Sequence, residues 1–153
     1  MRVFLRPSNL VVSGFSLVEL IIALAILGIL GAVAVPVYSG LQVGNDLDIA
    51  ATAVAQSLRR AQLLSQGVDG DAPWGVRVQA GEVILFRGAS FAQRDANFDE
   101  RFDLSTSLSP AGLQEVTFAR LTGLPTAVGT FTMTTPNGES KIISINGKGM
   151  VAY

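Results

Sequence analysis

Residues 14–38 read GFSLVELIIALAILGILGAVAVPVY, and this stretch decides how the chain is organised. Its central part, residues 20–35, contains no polar side chain. A helix rises about 1.5 Å per residue, so about 20 such residues cross the roughly 30 Å hydrocarbon layer of a bilayer. The stretch therefore predicts a membrane-spanning helix over residues 15–38.

Charges are distributed unevenly around this predicted helix. Arg2 and Arg6 are the only charged residues before Glu19. Positive residues stay on the cytoplasmic side of a membrane helix. We therefore expect a single-pass protein of the inner (cytoplasmic) membrane, with its C-terminal domain outside the cytoplasm.

Three interpretations of the apolar stretch compete: a plain signal anchor, a cleaved secretory signal peptide, and a prepilin leader followed by a membrane helix. The secretory interpretation has support, because Ala32-Val33-Ala34 is an A-x-A cleavage site after an apolar run. Glu19 argues against a plain anchor, because a carboxylate buried in a membrane is costly unless it has a partner.

The segment Gly14-Phe15-Ser16-Leu17-Val18-Glu19, which follows a short basic leader, resembles the prepilin peptidase site of type IV pilins and type II secretion pseudopilins. The resemblance implies a leader peptide over residues 1–14, cleavage between Gly14 and Phe15, and N-methylation of the new Phe15 amine. It also implies several partners: a prepilin peptidase/methyltransferase, other pilin or pseudopilin subunits, and an inner-membrane assembly platform. After processing, the mature protein would become part of a filament.

Physical chemistry supports an assembly role for this segment. Gly14 makes the backbone at the cleavage site flexible. The new α-amine of Phe15 is cationic at neutral pH, and in a dry bundle of helices the Glu19 carboxylate of a neighbouring subunit could pair with it. Phe15 and Glu19 are therefore the predicted subunit-assembly residues. Pro36 removes one helical hydrogen bond and predicts a helix kink, as at the equivalent place in pilins.

Residues 39–66 continue the helix with a different pattern. Apolar and small residues recur at steps of three and four, which indicates an amphipathic helix with one core-facing stripe. The predicted stripe consists of Leu47, Ala51, Val54, Leu58, Ala61 and Ser65. Gly67 is a predicted helix C-cap, and the turn-forming run GVDGDAP follows over residues 67–73.

Residues 67–153 predict a globular β-sheet domain. Two short β-prone runs, residues 74–79 and 82–88, surround Ala80-Gly81 and predict a hairpin. Further strands are predicted over residues 114–120, 130–135, 141–146 and 148–153, with Asn-Gly turns between the last three. The fold class is therefore α+β, with a long N-terminal helix packed against a C-terminal antiparallel sheet, as in pilins.

Three further segments resemble the GspH/FimT-like branch of minor pilins and minor pseudopilins. These are LRRAQLLSQG at residues 58–67, WGVRV at residues 74–78 and IISINGKGMV at residues 142–151. The resemblance implies a role at the tip or in the initiation of a filament.

The segment RDANFDERFD, residues 94–103, is predicted to be an acidic loop over a layer of phenylalanines. Its alternating oxygen ligands suit Ca²⁺, and the candidate ligands are Asp95, Asn97, Asp99 and Asp103. Glu100 stands where a calcium loop needs glycine, and Thr106 stands where it needs a bidentate Glu. We therefore expect no cofactor, with calcium as the alternative.

Composition narrows the classes of function. The chain has no cysteine and no histidine, so thiolate chemistry and the commonest general base are absent, and we expect no enzyme. Net charge is −1, and Lys141, Lys148 and Tyr153 are the only candidates for nucleic-acid contact near the C-terminus. Nucleic-acid binding is therefore not expected. The sequence predicts a structural filament subunit. The alternatives are a tip subunit that binds DNA or a surface ligand, and a membrane-anchored enzyme.

Overall fold

A single helix, α1, runs from Leu17 to Gln66. The computed structural model describes residues 14–153, with side chains for residues 14–32 and 42–153. The chain divides after Ser39 into two units, so that α1 contributes to both. The predicted leader lies outside the described residues except for Gly14. Pro36 lies within α1 but among the positions without described side chains, and its kink stays a prediction.

In the second unit, α1 buries the stripe that the sequence predicts. All six of its side chains are buried, with exposed fractions between 0% and 5%: Leu47, Ala51, Val54, Leu58, Ala61 and Ser65. The alanines keep this face of the helix narrow, so the strands can pack close to its axis. Full burial of one such leucine side chain stabilises a fold by about 2 kcal/mol.

Eight strands follow α1: β1 (Trp74–Gln79), β2 (Glu82–Arg87), β3 (Asp95–Asp103), β4 (Ser109–Gly112), β5 (Glu115–Phe118), β6 (Gly129–Thr134), β7 (Ser140–Ile145) and β8 (Val151–Ala152). They form two antiparallel four-stranded sheets, in the orders β3-β2-β1-β5 and β4-β6-β7-β8. The α+β class with a helix packed on antiparallel sheets is confirmed. The single sheet that the sequence suggested is wrong, because the strands belong to two sheets.

One hydrophobic core joins α1 to both sheets. The first sheet contributes Val76, Val78, Val83, Leu85 and Val116, and the second contributes Phe131, Met133, Ile143 and Ile145. Alternate residues of these strands face the helix, as the two-residue period of a strand requires. In the second unit, α1 and the two sheets therefore pack around one core of apolar side chains.

The predicted hairpins are present. Gly81 lies in the turn between β1 and β2 with a left-handed φ of 83°, and Val76 pairs with Leu85 across it. The order β6-β7-β8 confirms the predicted C-terminal meander. Strand β8 is shorter than predicted, because the Asn146 side chain accepts hydrogen bonds from the amides of Lys148 and Met150 and extends the turn.

The largest difference from the sequence-based prediction concerns residues 94–103. Residues 95–103 form strand β3 and not a loop, and β3 is an edge of the first sheet. Asp and Asn are rare inside sheets, but edge strands often carry charges that prevent further pairing. Strand β4 was also not predicted, because Pro110 and Gly112 disfavour a strand except at an edge, and β4 is an edge.

The end of α1 differs in one detail. The Gly67 amide donates to the carbonyl of Leu63 at 2.8 Å and closes the last turn. The residue that adopts the left-handed conformation is the next one, Val68, with φ 55°. The helix ends where the sequence predicts, but a valine takes the conformation that glycine usually provides.

Candidate functional site

The N-terminal part of α1 is uncovered on every side. All side chains of residues 14–32 are exposed within the chain. Its large apolar side chains have exposed fractions between 52% for Ile26 and 83% for Phe15. The core-facing stripe of the same helix is at most 5% exposed at Leu47. Among the residues whose side chains the structure describes, residues 14–32 therefore form an exposed apolar surface, and we call them the uncovered segment.

The backbone at the start of α1 changes conformation at Ser16. Gly14, Phe15 and Ser16 are not helical, and the helix begins at Leu17. The Ser16 hydroxyl accepts a hydrogen bond from the Glu19 amide at 3.2 Å. The Ser16 carbonyl accepts the first helical hydrogen bond, from the Leu20 amide at 3.1 Å. Ser16 is therefore the N-cap, and Glu19 is the third helical residue.

Sequence reasoning missed this cap, although a signal was present. Ser16 and Glu19 have the S-x-x-E spacing of a capping box. A carboxylate in the first helical turn also interacts favourably with the positive end of the helix dipole. Glu19 thus has a local structural role, which is compatible with the intersubunit role predicted for it.

The uncovered segment lies within a stretch that matches a known sequence family. Residues 11–35 match the family described as "Prokaryotic N-terminal methylation motif". This prepilin-type motif contains Gly14, Phe15 and Glu19, and it supports the resemblance to type IV pilins. No curated protein and no solved structure is significantly similar to the chain. The GspH/FimT-like branch stays a prediction.

The structure adds one observation on membrane crossing. Within the part of the chain that it describes, no helix contains an apolar stretch long enough to span a membrane.

The four predicted calcium ligands are spread along an extended strand. Asp95, Asn97, Asp99 and Asp103 all belong to β3, whose register with β2 shifts between the pairs Leu85–Glu100 and Arg87–Asp95. A calcium ion binds its oxygen ligands at about 2.4 Å, so a site would need several of these side chains to converge. Among the described residues, no group of three or more acidic side chains is arranged to hold a metal.

Arginines bind the carboxylates of this strand. The Asp99 side chain is 4% exposed and accepts hydrogen bonds from Arg94 Nε at 3.0 Å and Arg101 Nη2 at 3.4 Å. Asp95 lies 2.8 Å from Arg87 Nη2. A hydrogen bond from the Asn97 amide, followed by the Arg87 pair, holds the pKa of Asp95 below its ordinary value. Asp95 and Asp99 therefore belong to ion pairs with arginines of the first sheet and of the segment before β3.

The outer face of the first sheet is closed by the segment between β2 and β3. Phe91 lies in this segment and packs edge-on against the buried ring of Phe86, at 5.6 Å between centroids. The Phe91 amide donates to Glu115 at 2.8 Å. The guanidinium carbon of Arg94 lies 3.7 Å from the centroid of the Phe91 ring. The guanidinium carbon of Arg77 lies 5.4 Å from the same centroid. Phe91 therefore makes cation–π contacts with two arginines, Arg77 and Arg94.

The predicted phenylalanine layer beneath residues 94–103 is wrong in its details. Phe98 and Phe102 lie on β3 and remain 42% and 37% exposed. The Arg87 guanidinium covers the Phe98 ring at 3.4 Å. Phe102 lines a small groove beside α1, of about 160 Å³, together with Ala53, Gln56, Ser57 and Arg60. A second, shallower groove of about 320 Å³ continues along the helix past Asp48.

The basic residues considered for nucleic-acid contact take part in different interactions. Lys141 forms an ion pair with Asp48 of α1. Lys148 lies in the exposed turn between β7 and β8, and its carbonyl accepts a hydrogen bond from Gln62 Nε2 at 3.0 Å. Tyr153 lies 5.7 Å from the guanidinium of Arg59. The pair with Asp48 reduces the positive charge available for phosphate.

Proposed function

We propose that the chain is a structural subunit of a type IV pilus or type II secretion pseudopilus, processed by a prepilin peptidase and assembled through its N-terminal helix. The observation that carries this proposal is the coincidence of two independent features. Residues 11–35 match the N-terminal methylation motif, and residues 14–32 form an apolar surface that the described part of the chain leaves exposed. A motif read by processing enzymes and a surface that needs a partner thus occupy the same residues.

The uncovered segment suits burial among similar helices. An apolar helix that is exposed on all sides is stable either in lipid or in the core of a larger assembly. Gly28 and Gly31 have open space around their Cα atoms, so another helix could approach the backbone closely there. We infer that residues 15–38 hold the subunit in the inner membrane, with the C-terminal domain outside, and pass from lipid into the filament core.

Glu19 gives this packing a preferred register. In a dry helix bundle an unpaired carboxylate is strongly unfavourable, and the cationic amine of Phe15 on a neighbouring subunit would relieve it. Both residues are exposed in the single chain and available for such a contact. The pairing therefore favours one axial displacement between neighbouring subunits over others.

The second unit would be displayed on the outside of the filament. The core unites α1 with both sheets through Leu58, Phe131 and Ile143. A displacement of the helix therefore carries the sheets with it. We infer a minor pilin or pseudopilin of the GspH/FimT-like branch, driven by a separate assembly platform in the inner membrane.

The processing step tests the proposal directly. The full chain is produced in cells with an active prepilin peptidase, and mass spectrometry identifies its N-terminus. We expect a mature chain that begins with N-methylated Phe15. A matched sample from cells without the peptidase should retain Met1. A start at Val35 in the first sample would support a secretory signal peptide, and Met1 in both samples would support a plain anchor; either result refutes the proposal.

The assembly step needs its own test. Glu19→Gln keeps the size of the side chain and its ability to occupy a capping box, but removes the charge. We expect processing to continue and incorporation into sheared filaments to fall. Asp69→Gln is a suitable control, because Asp69 is an exposed acidic residue outside the uncovered segment. Equal incorporation of Glu19→Gln and the unmodified chain would contradict the proposed pairing.

A further inference from the structure

The bond that the proposed function requires to be cleaved lies immediately before the helix. Gly14 and Phe15 are exposed and not helical, and Ser16 caps α1 from the next position. The proposed cleavage bond is thus two residues from the first helical residue, Leu17. The N-terminal methylation motif covers residues on both sides of this bond.

The cap decides where α1 begins. An N-cap residue keeps a non-helical backbone, while its side-chain oxygen binds an amide of the first turn. Without that oxygen at position 16, nothing stabilises the start of the helix at Leu17, and the helix can extend toward the N-terminus. Gly14 is the next residue upstream that is tolerated as an N-cap. A helix that begins at Phe15 would include the Phe15 amide, which belongs to the cleavage bond.

A peptidase needs an accessible amide, which non-helical backbone provides and a helical turn restricts. We propose that Ser16 is a positioning residue for processing: its cap holds the start of α1 at Leu17 and keeps the Gly14–Phe15 bond in exposed backbone outside the helix. This inference rests on the proposed function. Hydrolysis adds one water molecule across the bond and leaves a carboxylate on Gly14 and an amine on Phe15.

The test compares four full-length chains in detergent micelles with purified prepilin peptidase. They are the unmodified chain, Ser16→Ala, Ser16→Asp and Ser13→Ala. Ser16→Ala removes the cap, and Ser16→Asp replaces it with another good capping side chain. Ser13→Ala is the matched control, because it removes the same hydroxyl from the other side of the cleavage bond. The readouts are the initial rate at which the Phe15 N-terminus appears and the hydrogen exchange of the Val18 amide.

We expect Ser16→Ala to be cleaved roughly fivefold more slowly, which is the factor that corresponds to the usual free energy of one helix cap. Its Val18 amide should exchange more slowly, because in a helix capped at Gly14 this amide donates to the Gly14 carbonyl. Ser16→Asp should restore both values, and Ser13→Ala should behave as the unmodified chain.

The outcomes separate this inference from the function on which it rests. If the unmodified chain is cleaved after Gly14 and Ser16→Ala is cleaved equally fast, the positioning role is wrong and the proposed function stands. If Ser16→Asp remains as slow as Ser16→Ala, or Ser13→Ala is equally slow, the cap is not the cause and the inference is overturned. If the unmodified chain resists the peptidase, both the inference and the proposed function fail.

Discussion

Gly75 lies against the ring of Phe86, so close that a β-carbon on Gly75 would be 2.5 Å from Cζ of the phenylalanine. Gly75 and Phe86 are paired residues of β1 and β2, and Phe86 is fully buried. The missing side chain of the glycine makes the space that the ring fills. The threonine on the other side, Thr117, limits that space equally, with Cγ2 also 2.5 Å from the same β-carbon position.

Substitution of Gly75 should therefore overpack the outer face of the first sheet. We expect Gly75→Ala to destabilise the chain by about 1–3 kcal/mol, because the ring and the Thr117 methyl group cannot both remain in place. Thermal or urea unfolding of the full chain in detergent measures the change. Gly147→Ala is the control, because Gly147 has open space around its Cα. Similar stability of the two variants would contradict the tight fit.

Leu58 should be the costliest leucine of α1 to truncate in the second unit. It is fully buried between the helix and the sheets, whereas Leu63 on the same helix is 67% exposed. We expect Leu58→Ala to lower the free energy of unfolding by about 2–5 kcal/mol, through lost burial and the cavity that remains. Leu63→Ala should change it by less than about 0.5 kcal/mol. The same unfolding measurement compares both variants, and equal losses would show that Leu58 lies outside the core.

Asp95 should contribute to the dependence of stability on pH. Its pKa is lowered, first by the hydrogen bond from the Asn97 amide and then by the Arg87 pair. A carboxyl group whose pKa is lower in the folded state adds stability above its ordinary pKa of 3.8, and this contribution disappears as pH falls through the folded value. We expect Asp95→Asn to reduce stability at neutral pH and to weaken its decline in acid.

The measurement for Asp95 is the unfolding midpoint from neutral pH down to about pH 2, below its ordinary pKa. Asp69→Asn is the control, since Asp69 is exposed and contacts Trp74 through its backbone carbonyl, which the substitution retains. If the difference between Asp95→Asn and the unmodified chain were constant over this range, titration of Asp95 would not be its cause.

Calcium should leave the stability of the chain unchanged. Asp99 is bound by Arg94 and Arg101, and Asp95 by Arg87, so an ion would have to displace three guanidinium groups. We expect no heat of binding in a calorimetric titration of the full chain and no shift of its unfolding midpoint. A saturable shift that Asp99→Asn abolishes would instead establish the calcium site.

The sequence predicts the helix far better than the edges of the sheets. Leu47, Val54 and Leu58 are regularly spaced along α1, and the same spacing places them on one buried face. Hairpins joined by Asn-Gly turns are equally local, so β6, β7 and β8 could be found without knowledge of the rest of the fold.

Strand β3 could not be predicted in this way, because what stabilises it is distant in sequence. Its carboxylates suggest a solvated loop, but Asp95 and Asp99 are tolerated in a strand because arginines from β2, from the preceding segment and from β3 itself pair with them. Arg60 of α1 also binds Glu100 of β3 at 2.7 Å. Pairing across 40 residues of sequence is invisible to local patterns.

At the candidate site, the sequence shows which residues belong to the processing motif but not which hydrogen bonds they make. Gly14, Phe15 and Glu19 are conspicuous as residue types, and the family match includes all three. The role of Ser16 depends on a hydrogen bond to the Glu19 amide, which appears only when the start of the helix is known.

The absence of any covered side chain among residues 14–32 has a consequence for how such a chain can change over evolutionary time. Substitutions there change no buried contact with the described residues of the same chain, so selection on them comes mainly from the surroundings of the chain. Mutations around Leu58 or Phe131 change the stability of the folded chain, so selection acts on them through folding. One continuous helix therefore contains two stretches that can diverge at different rates, and for unrelated reasons.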